Sequence, residues 1–326
     1  MSGEADLAAL ADILRQSSGI AAKADIAEAT LGLGLSGAGS VPVGDDCAAI
    51  PDGDGWQLLA IEGFMNEFVA RDPWFAGWCA VMVNVSDVAA MGGRPVAVVD
   101  ALWADGSSAA EPVLAGMRAA SERFGVPIVG GHTNLKTDRK QLSVAILGRA
   151  RRLLTSFDAR PGDRLVAAID LRGRYREPFS NWEAATDAPG ERLRGDIALL
   201  PEIAEAGLAL AVKDISQGGV VGTAAMLAEC SRVAVTIEVD AVPRPDGVPL
   251  ERWLTSFPSF GYLLAVSPAK LDAVLALFGG RGIAAAAIGA VSEGSAVSIA
   301  RGGQVELVRD LARAPLMLPG RVEAAA

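Results

Sequence analysis

The sequence has no apolar run long enough to cross a bilayer as a helix, so a membrane span is not expected. It has no basic stripe. Its 29 Lys and Arg against 39 Asp and Glu leave a net charge of −10. The basic residues are scattered apart from Arg149, Arg151 and Arg152, so a nucleic-acid partner is not expected. A phosphate ligand is not excluded, but metal ions or backbone N–H groups would have to do much of the neutralising. The three cysteines, Cys47, Cys79 and Cys230, are far apart and form no CxxC pair. That spacing excludes a structural zinc site and is expected of free thiols in a reducing cytoplasm. The first residues, Met1-Ser2-Gly3-Glu4-Ala5-Asp6, carry acid where a secretory signal would be basic, so a cytoplasmic location is expected. Aromatic residues make up only 5% of the chain, and glycine and alanine are abundant, so its elements must pack closely through small side chains.

Apolar spacing at Leu7, Leu10, Ile13 and Leu14 predicts helix over 5–31, with Gly19 as a possible break. A Gly-rich segment, 32–40, follows. Trp56 to Ile61 reads as a strand. Asp72 and Pro73 open a helix with an apolar stripe of Trp74, Trp78, Val81, Val85 and Val88, ended by Gly92-Gly93. A buried strand is expected at 95–103. Ser108 with Glu111 predicts a capping box for the next helix, stopped by Gly125. Strands are expected at 126–129 and 141–147. Arg, Ser, Thr, Asp and Pro accumulate over 151–162, and the domain boundary is placed there, giving 1–155 and 156–326. The second half predicts strands at 164–169, 209–212, 233–239, 262–266, 284–291 and 297–300. Its helices are expected after a cap at Asp196, at 219–229 and at 269–278. Both halves read as α+β.

Four segments carry chemistry. Gly44-Asp45-Asp46-Cys47-Ala48 sets two adjacent carboxylates after a glycine, which suits a hard cation such as Mg²⁺ or a plain turn. Asn84 and Asp87, three apart on a helix, share a face away from the packing stripe, where a solvated role is the alternative to a site. Ile128-Val129-Gly130-Gly131-His132-Thr133 ends a strand in two glycines that let a ligand approach the backbone; His132 is the chain's single histidine. Lys213-Asp214-Ile215-Ser216-Gln217-Gly218-Gly219 runs from a strand through glycines into a helix start, where N–H groups could hold an anion and Asp214 its cation.

Taken together, these segments resemble the AIR synthase superfamily, which includes thiamine-monophosphate kinase and selenophosphate synthetase. Gly44 to Ala48 is similar to the GDDCA of the kinases. Asn84-Val85-Ser86-Asp87-Val88-Ala89-Ala90-Met91-Gly92 is similar to the N-x-SD-x-AAMG of both groups. Gly130 to Thr133 resembles the GGHT of the synthetases. Asp214 to Val220 resembles the Asp-x-(Ser/Thr)-x-Gly-Gly-Leu found across the superfamily. The resemblance runs from about 41 to about 300. It implies a two-domain fold. The N-terminal domain would be an ATP- and Mg²⁺-binding, dimerising domain whose strands complete a helix-flanked β-barrel with a partner copy. The C-terminal domain would be α+β. It further implies Asp45, Asp46, Glu62, Asp87 and Asp214 as metal ligands. Gly37, Gly39, Asn84, Gly130, Gly131, Thr133, Gly218 and Gly219 would line the nucleotide, and His132 and Asp214 are catalytic candidates.

The chain also departs from its likenesses. Glu62 stands where the family usually has Asp, and His132 and Gln217 stand where the kinases have acids. Neither Cys nor Lys occurs in 32–40, where selenophosphate synthetases carry a Lys and a catalytic Cys or selenocysteine, so no selenophosphate synthesis is expected. The expected activity is ATP- and Mg²⁺-dependent phosphorylation, or activation, of an oxygen of a small molecule by a cytoplasmic homodimer. A thiamine-monophosphate kinase-like phosphotransferase, or a nucleotide-binding protein without turnover, is the alternative. Arg172, Arg174 and Arg176 are candidate substrate contacts.

Overall fold

Asp6 accepts from the Ala9 N–H at 2.7 Å and opens the first helix, α1 (Leu7–Arg15). In this computed structural model, residues 6–35 and 41–318 are described. α1 is followed by α2 (Ser18–Ala21), a 3₁₀ turn and α3 (Asp25–Gly32), so the helical reading breaks just before Gly19. The described residues fall into two compact units that interleave along the chain. The smaller comprises Asp46–Leu153 and Ala185–Glu205; the larger comprises the described parts of 1–45, 154–184 and 206–326. The sequence reading divides the chain once, near 155. The units keep a crossing there, but 1–45 belongs with the later residues and 185–205 with the earlier ones.

The smaller unit is an open five-stranded sheet covered on one side by helices. Its strands are β1 (Ala48–Asp52), β2 (Gly55–Phe64), β3 (Arg94–Asp105), β4 (Ile128–Asn134) and β5 (Lys136–Ala150), in the order β1-β2-β5-β3-β4. No closed barrel is formed by the described residues, and β1 and β4 are edges. The helices are α4 (Asn66–Arg71), α5 (Pro73–Ala90), α6 (Ser107–Phe124), α7 (Gly190–Ile197) and α8 (Leu199–Glu205). Asp72 caps α5 as expected, accepting from Phe75 N–H at 3.2 Å. The expected box at Ser108 and Glu111 does not form: α6 begins two residues earlier than that cap implies, at Ser107, and Gly106 at φ +81° takes the cap position without a side chain. Asp196 likewise lies inside α7 rather than capping a helix, because Pro189 precedes the first turn.

The larger unit holds a seven-stranded sheet, β15-β14-β10-β13-β6-β12-β9. These strands are β6 (Arg164–Ile169), β9 (Ala211–Asp214), β10 (Ala234–Glu238), β12 (Gly261–Val266), β13 (Ala284–Ser292), β14 (Ala296–Arg301) and β15 (Gln304–Asp310). A small sheet joins β7 (Arg174–Tyr175), β8 (Asn181–Glu183) and β11 (Phe257–Pro258). Helix α9 (Gly219–Ser231) packs on β9 and β10, while α10 (Leu250–Trp253) and α11 (Leu271–Gly279) complete the unit. Leu7, Leu10 and Leu14 of α1 join this core, and Arg15 Nε donates to the Leu307 carbonyl of β15 at 2.9 Å. No helix among the described residues is long and apolar enough to cross a membrane.

Candidate metal and nucleotide site

Helix α5 lies between the sheet and α6, with α4 and α8 also against it. Small residues such as Ala76, Gly77 and Ala80 make room for this, and α5 is buried from Phe75 through Val85 and from Asp87 through Ala90. Asn84 and Asp87 therefore do not form a solvated face away from the packing stripe. Asn84 is 0% exposed and Asp87 6%. The Asn84 amide donates to the carbonyls of Ala80 at 2.8 Å and Val144 at 3.0 Å, which pins α5 to β5. Its Oδ1 is buried with no hydrogen-bond partner among the described residues.

Asp87 brings its carboxylate within 4.8 Å of that of Asp46. Two unit negative charges at that distance repel by roughly 3.5 kcal/mol at an effective dielectric constant of about 20. A cation offsets that repulsion. The donors are carboxylate oxygens with no histidine or cysteine among them, and Mg²⁺–oxygen bonds of about 2.1 Å let one such ion contact both groups after a small closure. The pair therefore suits a hard divalent ion.

Asp45 behaves differently from its neighbour. Its Oδ2 accepts from the Ser156 N–H at 2.8 Å and its Oδ1 from the Ser156 hydroxyl at 2.6 Å. The Lys213 ammonium lies 3.5 Å from the same hydroxyl, and Lys213 is 4% exposed. Sequence reasoning did not single out Ser156 or Lys213. A lysine inside the buried strand Ala211–Asp214 was the one available signal.

Glu62, Val144, Asp100 and Gly131 form a row across β2, β5, β3 and β4 and so share a side of the sheet. Val144 is buried, so this is the side covered by helices. Glu62 itself is exposed. Asp100, which the sequence reading also passed over, has a buried Oδ2 without a partner among the described residues. Burial raises its carboxyl above the usual carboxylate range, with a backbone hydrogen bond partly opposing. A Cβ on Gly131 would overlap the Asp100 carboxylate, which explains glycine there. Thr133 pairs with Leu102 on that same side. His132 pairs with Ala101 and so projects from the opposite side, where its ring lies 6.0 Å from that of Trp103. Within the smaller unit, His132 is therefore not brought to the Asp46–Asp87 pair.

In the larger unit, Asp214 ends β9 and is 6% exposed. Gly218 takes the cap position of α9, and Gly219, at φ +63°, lies so close to the Leu254 carbonyl that a Cβ there would overlap it. Gly130 pairs with Val99 in the sheet. Gly37 and Gly39 lie outside the described residues. Arg172 grips the buried Asp170 through Nε at 2.7 Å and the second guanidinium nitrogen at 3.2 Å, so it has a structural task in the fold.

Comparison with known proteins places this architecture. The AIR synthase related protein N-terminal domain matches residues 44–150, and the C-terminal domain of the same description matches residues 179–301. The chain belongs to the AIR synthase related protein family, as the four motifs imply. It is 49% identical over 279 residues to an uncharacterized protein of Synechocystis sp., covering 85% of this chain and 86% of that one. It is 29% identical to a thiamine-monophosphate kinase of Pyrococcus abyssi, covering 81% of this chain and 87% of the kinase. Among solved structures, AaThiL complexed with AMPPCP and TMP is similar at 25% identity and a TM-score of 0.66, over 85% of this chain and 92% of that one. T. maritima PurL shares the fold with a TM-score of 0.70 at 23% identity, and this chain spans 46% of its length.

Proposed function

We propose that the protein is a Mg²⁺- and ATP-dependent enzyme that phosphorylates, or activates, an oxygen of a small-molecule substrate. The observation that carries this reading is the facing pair Asp46 and Asp87, with kinases among the relatives as support. In this reading the pair holds the ion, and Glu62 adds a ligand. In the smaller unit Gly130, Gly131 and Thr133, and in the larger unit Gly218 and Gly219, are the nucleotide contacts of this reading. The bound ion would neutralise phosphate charge. The protein's residues would orient the nucleotide and keep water from the transferring group. Asp214 remains the catalytic candidate. Calorimetry of ATP binding with Mg²⁺ and with EDTA tests the reading; equal affinity in both sinks it.

The same reading makes the protein a homodimer. Leu59, Ile61, Val99 and Leu147 lie on the uncovered side of the five-stranded sheet at 49%, 69%, 42% and 38% exposure, an apolar surface suited to a second copy. A thiamine-monophosphate kinase-like phosphotransfer is one specific form of the activity. A second reading, nucleotide binding without turnover, is favoured by Glu62, His132 and Gln217 at positions where the resemblance implies other residues. Phosphate release measured across candidate substrates separates the two.

A further inference from the structure

We propose that the adjacent aspartates of the Gly44-Asp45-Asp46 turn divide the work: Asp45 is a positioning residue clamped by Ser156 and Lys213, and Asp46 alone meets the cation. The inference rests on the metal reading above and removes Asp45 from the ligand set. It begins from the two hydrogen bonds that engage both Asp45 oxygens, one from a backbone N–H and one from a hydroxyl of the same residue. Ser156 is 0% exposed and is itself held from behind. The Ser231 hydroxyl donates to the Ser156 carbonyl at 2.7 Å and accepts from the Ala159 N–H at 3.0 Å. The donor pair that grips Asp45 is therefore rigid. The Cys230 thiol, 3.7 Å from the Gly44 carbonyl, touches the same turn one residue earlier.

Lys213 adds the charge. Its ammonium faces the Ser156 hydroxyl, which in turn donates to Asp45, so a cation and a carboxylate stand at the two ends of one hydroxyl. Such a chain polarises the hydroxyl and strengthens its bond to the carboxylate. It also accounts for a lysine at 4% exposure, a placement that is costly without a nearby opposite charge. A carboxylate held this way is a poor metal ligand, because binding an ion would trade two fixed donors for it. Asp46, the next residue, faces Asp87. The clamp fixes the backbone from which Asp46 projects, as outer groups around metal sites fix the ligands within them.

The test uses Mn²⁺ alone as the probe on the full chain, with binding read by electron paramagnetic resonance and the Ser156 amide by hydrogen exchange. Asp46→Asn is expected to lose Mn²⁺ binding. Asp45→Ala and Ser156→Ala are expected to keep the same number of sites with affinity lowered about tenfold, Ser156→Thr to recover it, and the double alanine variant to lose no more than either single one. The Ser156 amide should exchange faster in Asp45→Ala. If Asp45→Ala abolishes Mn²⁺ binding as fully as Asp46→Asn at an unchanged Tm, Asp45 is a ligand and the proposal is overturned. Failure of Ser156→Thr to recover affinity overturns it too. If the wild type takes up no Mn²⁺, the metal reading falls, and with it the assignment of Asp46. The clamp is then judged by exchange alone, and an unchanged Ser156 amide in Asp45→Ala refutes it.

Discussion

On the side of the five-stranded sheet that faces α5, Leu58, Val98, Leu102, Leu142, Val144 and Ile146 are buried, and Asn84, Asp87 and Asp100 sit among them. On the other side Leu59, Ile61, Val99 and Leu147 remain exposed, with His132 and Trp103 beside them. A sheet with apolar residues on both sides normally has both covered. Here one covering is supplied by the chain's own helices, and polar groups enter it where alanine and glycine leave space. The other has no covering helix of that unit among the described residues. The difference separates two jobs that the same strands perform: one side holds candidate ligands in a rigid, low-dielectric setting, and the other offers surface.

The strongest way to break this comparison is to charge the uncovered side. Leu59→Asp with Ile61→Asp should raise the dissociation constant of the proposed dimer at least a hundredfold, about 2.7 kcal/mol, because two carboxylates from each copy would have to be buried on association. Circular dichroism should be unchanged, since neither side chain belongs to the core. Light scattering that finds the wild type monomeric at micromolar concentration would remove the partner from the argument. On the covered side, Asn84→Ala should lower stability by about 2 kcal/mol, because it strips a donor from the buried Val144 carbonyl. A loss below about 0.5 kcal/mol in denaturant melts would mean that Asn84 is not the pin between helix and sheet.

Asp87→Asn sharpens the same contrast by changing chemistry without changing shape. The amide is nearly isosteric, but a weaker ligand for a hard ion. Nucleotide affinity in Mg²⁺ should fall at least tenfold, on the order of 1.4 kcal/mol. Stability without ligands should stay level or rise, because the repulsion from Asp46 is relieved. Melting curves with and without ATP and Mg²⁺ read both effects, and an ATP-induced shift equal to that of the wild type would take Asp87 out of the site.

The motifs and their order were legible in the sequence because chemistry forces short, recognisable patterns on the chain. So was the start of α5, since Asp72 and Pro73 act locally. What escaped depends on contacts distant in sequence. The burial of Asn84 and Asp87 follows from the packing of α5 onto the sheet, where the Asn84 amide reaches the Val144 carbonyl, and periodicity within α5 alone does not report that. The membership of α1 in the later unit follows from its packing on β15, a strand the sequence reading also missed. The capping box failed because Gly106 reached a left-handed φ that no other residue adopts as readily, and the helix began early. Ser156 is one hydroxyl in a polar linker until Asp45 arrives from 111 positions away.

The smallest expected effect concerns Asp100, the covered side's carboxylate with an unpartnered buried oxygen. Burial holds its carboxyl above the ordinary carboxylate value in the folded protein, while the unfolded chain leaves it at that value. Between the two values the folded state binds more protons than the unfolded state. Stability must then fall as pH rises through this window, and the penalty persists at every higher pH. Asp100→Asn cannot ionise and escapes the penalty. Its Tm should exceed that of the wild type at pH 7, and the two should converge below the ordinary carboxylate value. The residue is only partly buried, so water screens the charge and the difference should be smaller than the three above. Melting both proteins at steps from about pH 3 to 7 isolates the term, because every other carboxyl is common to the pair. A Tm difference that stays constant across that range would show that the strain at Asp100 is not electrostatic. A variant less stable than the wild type at pH 7 would show that the carboxylate is satisfied in solution.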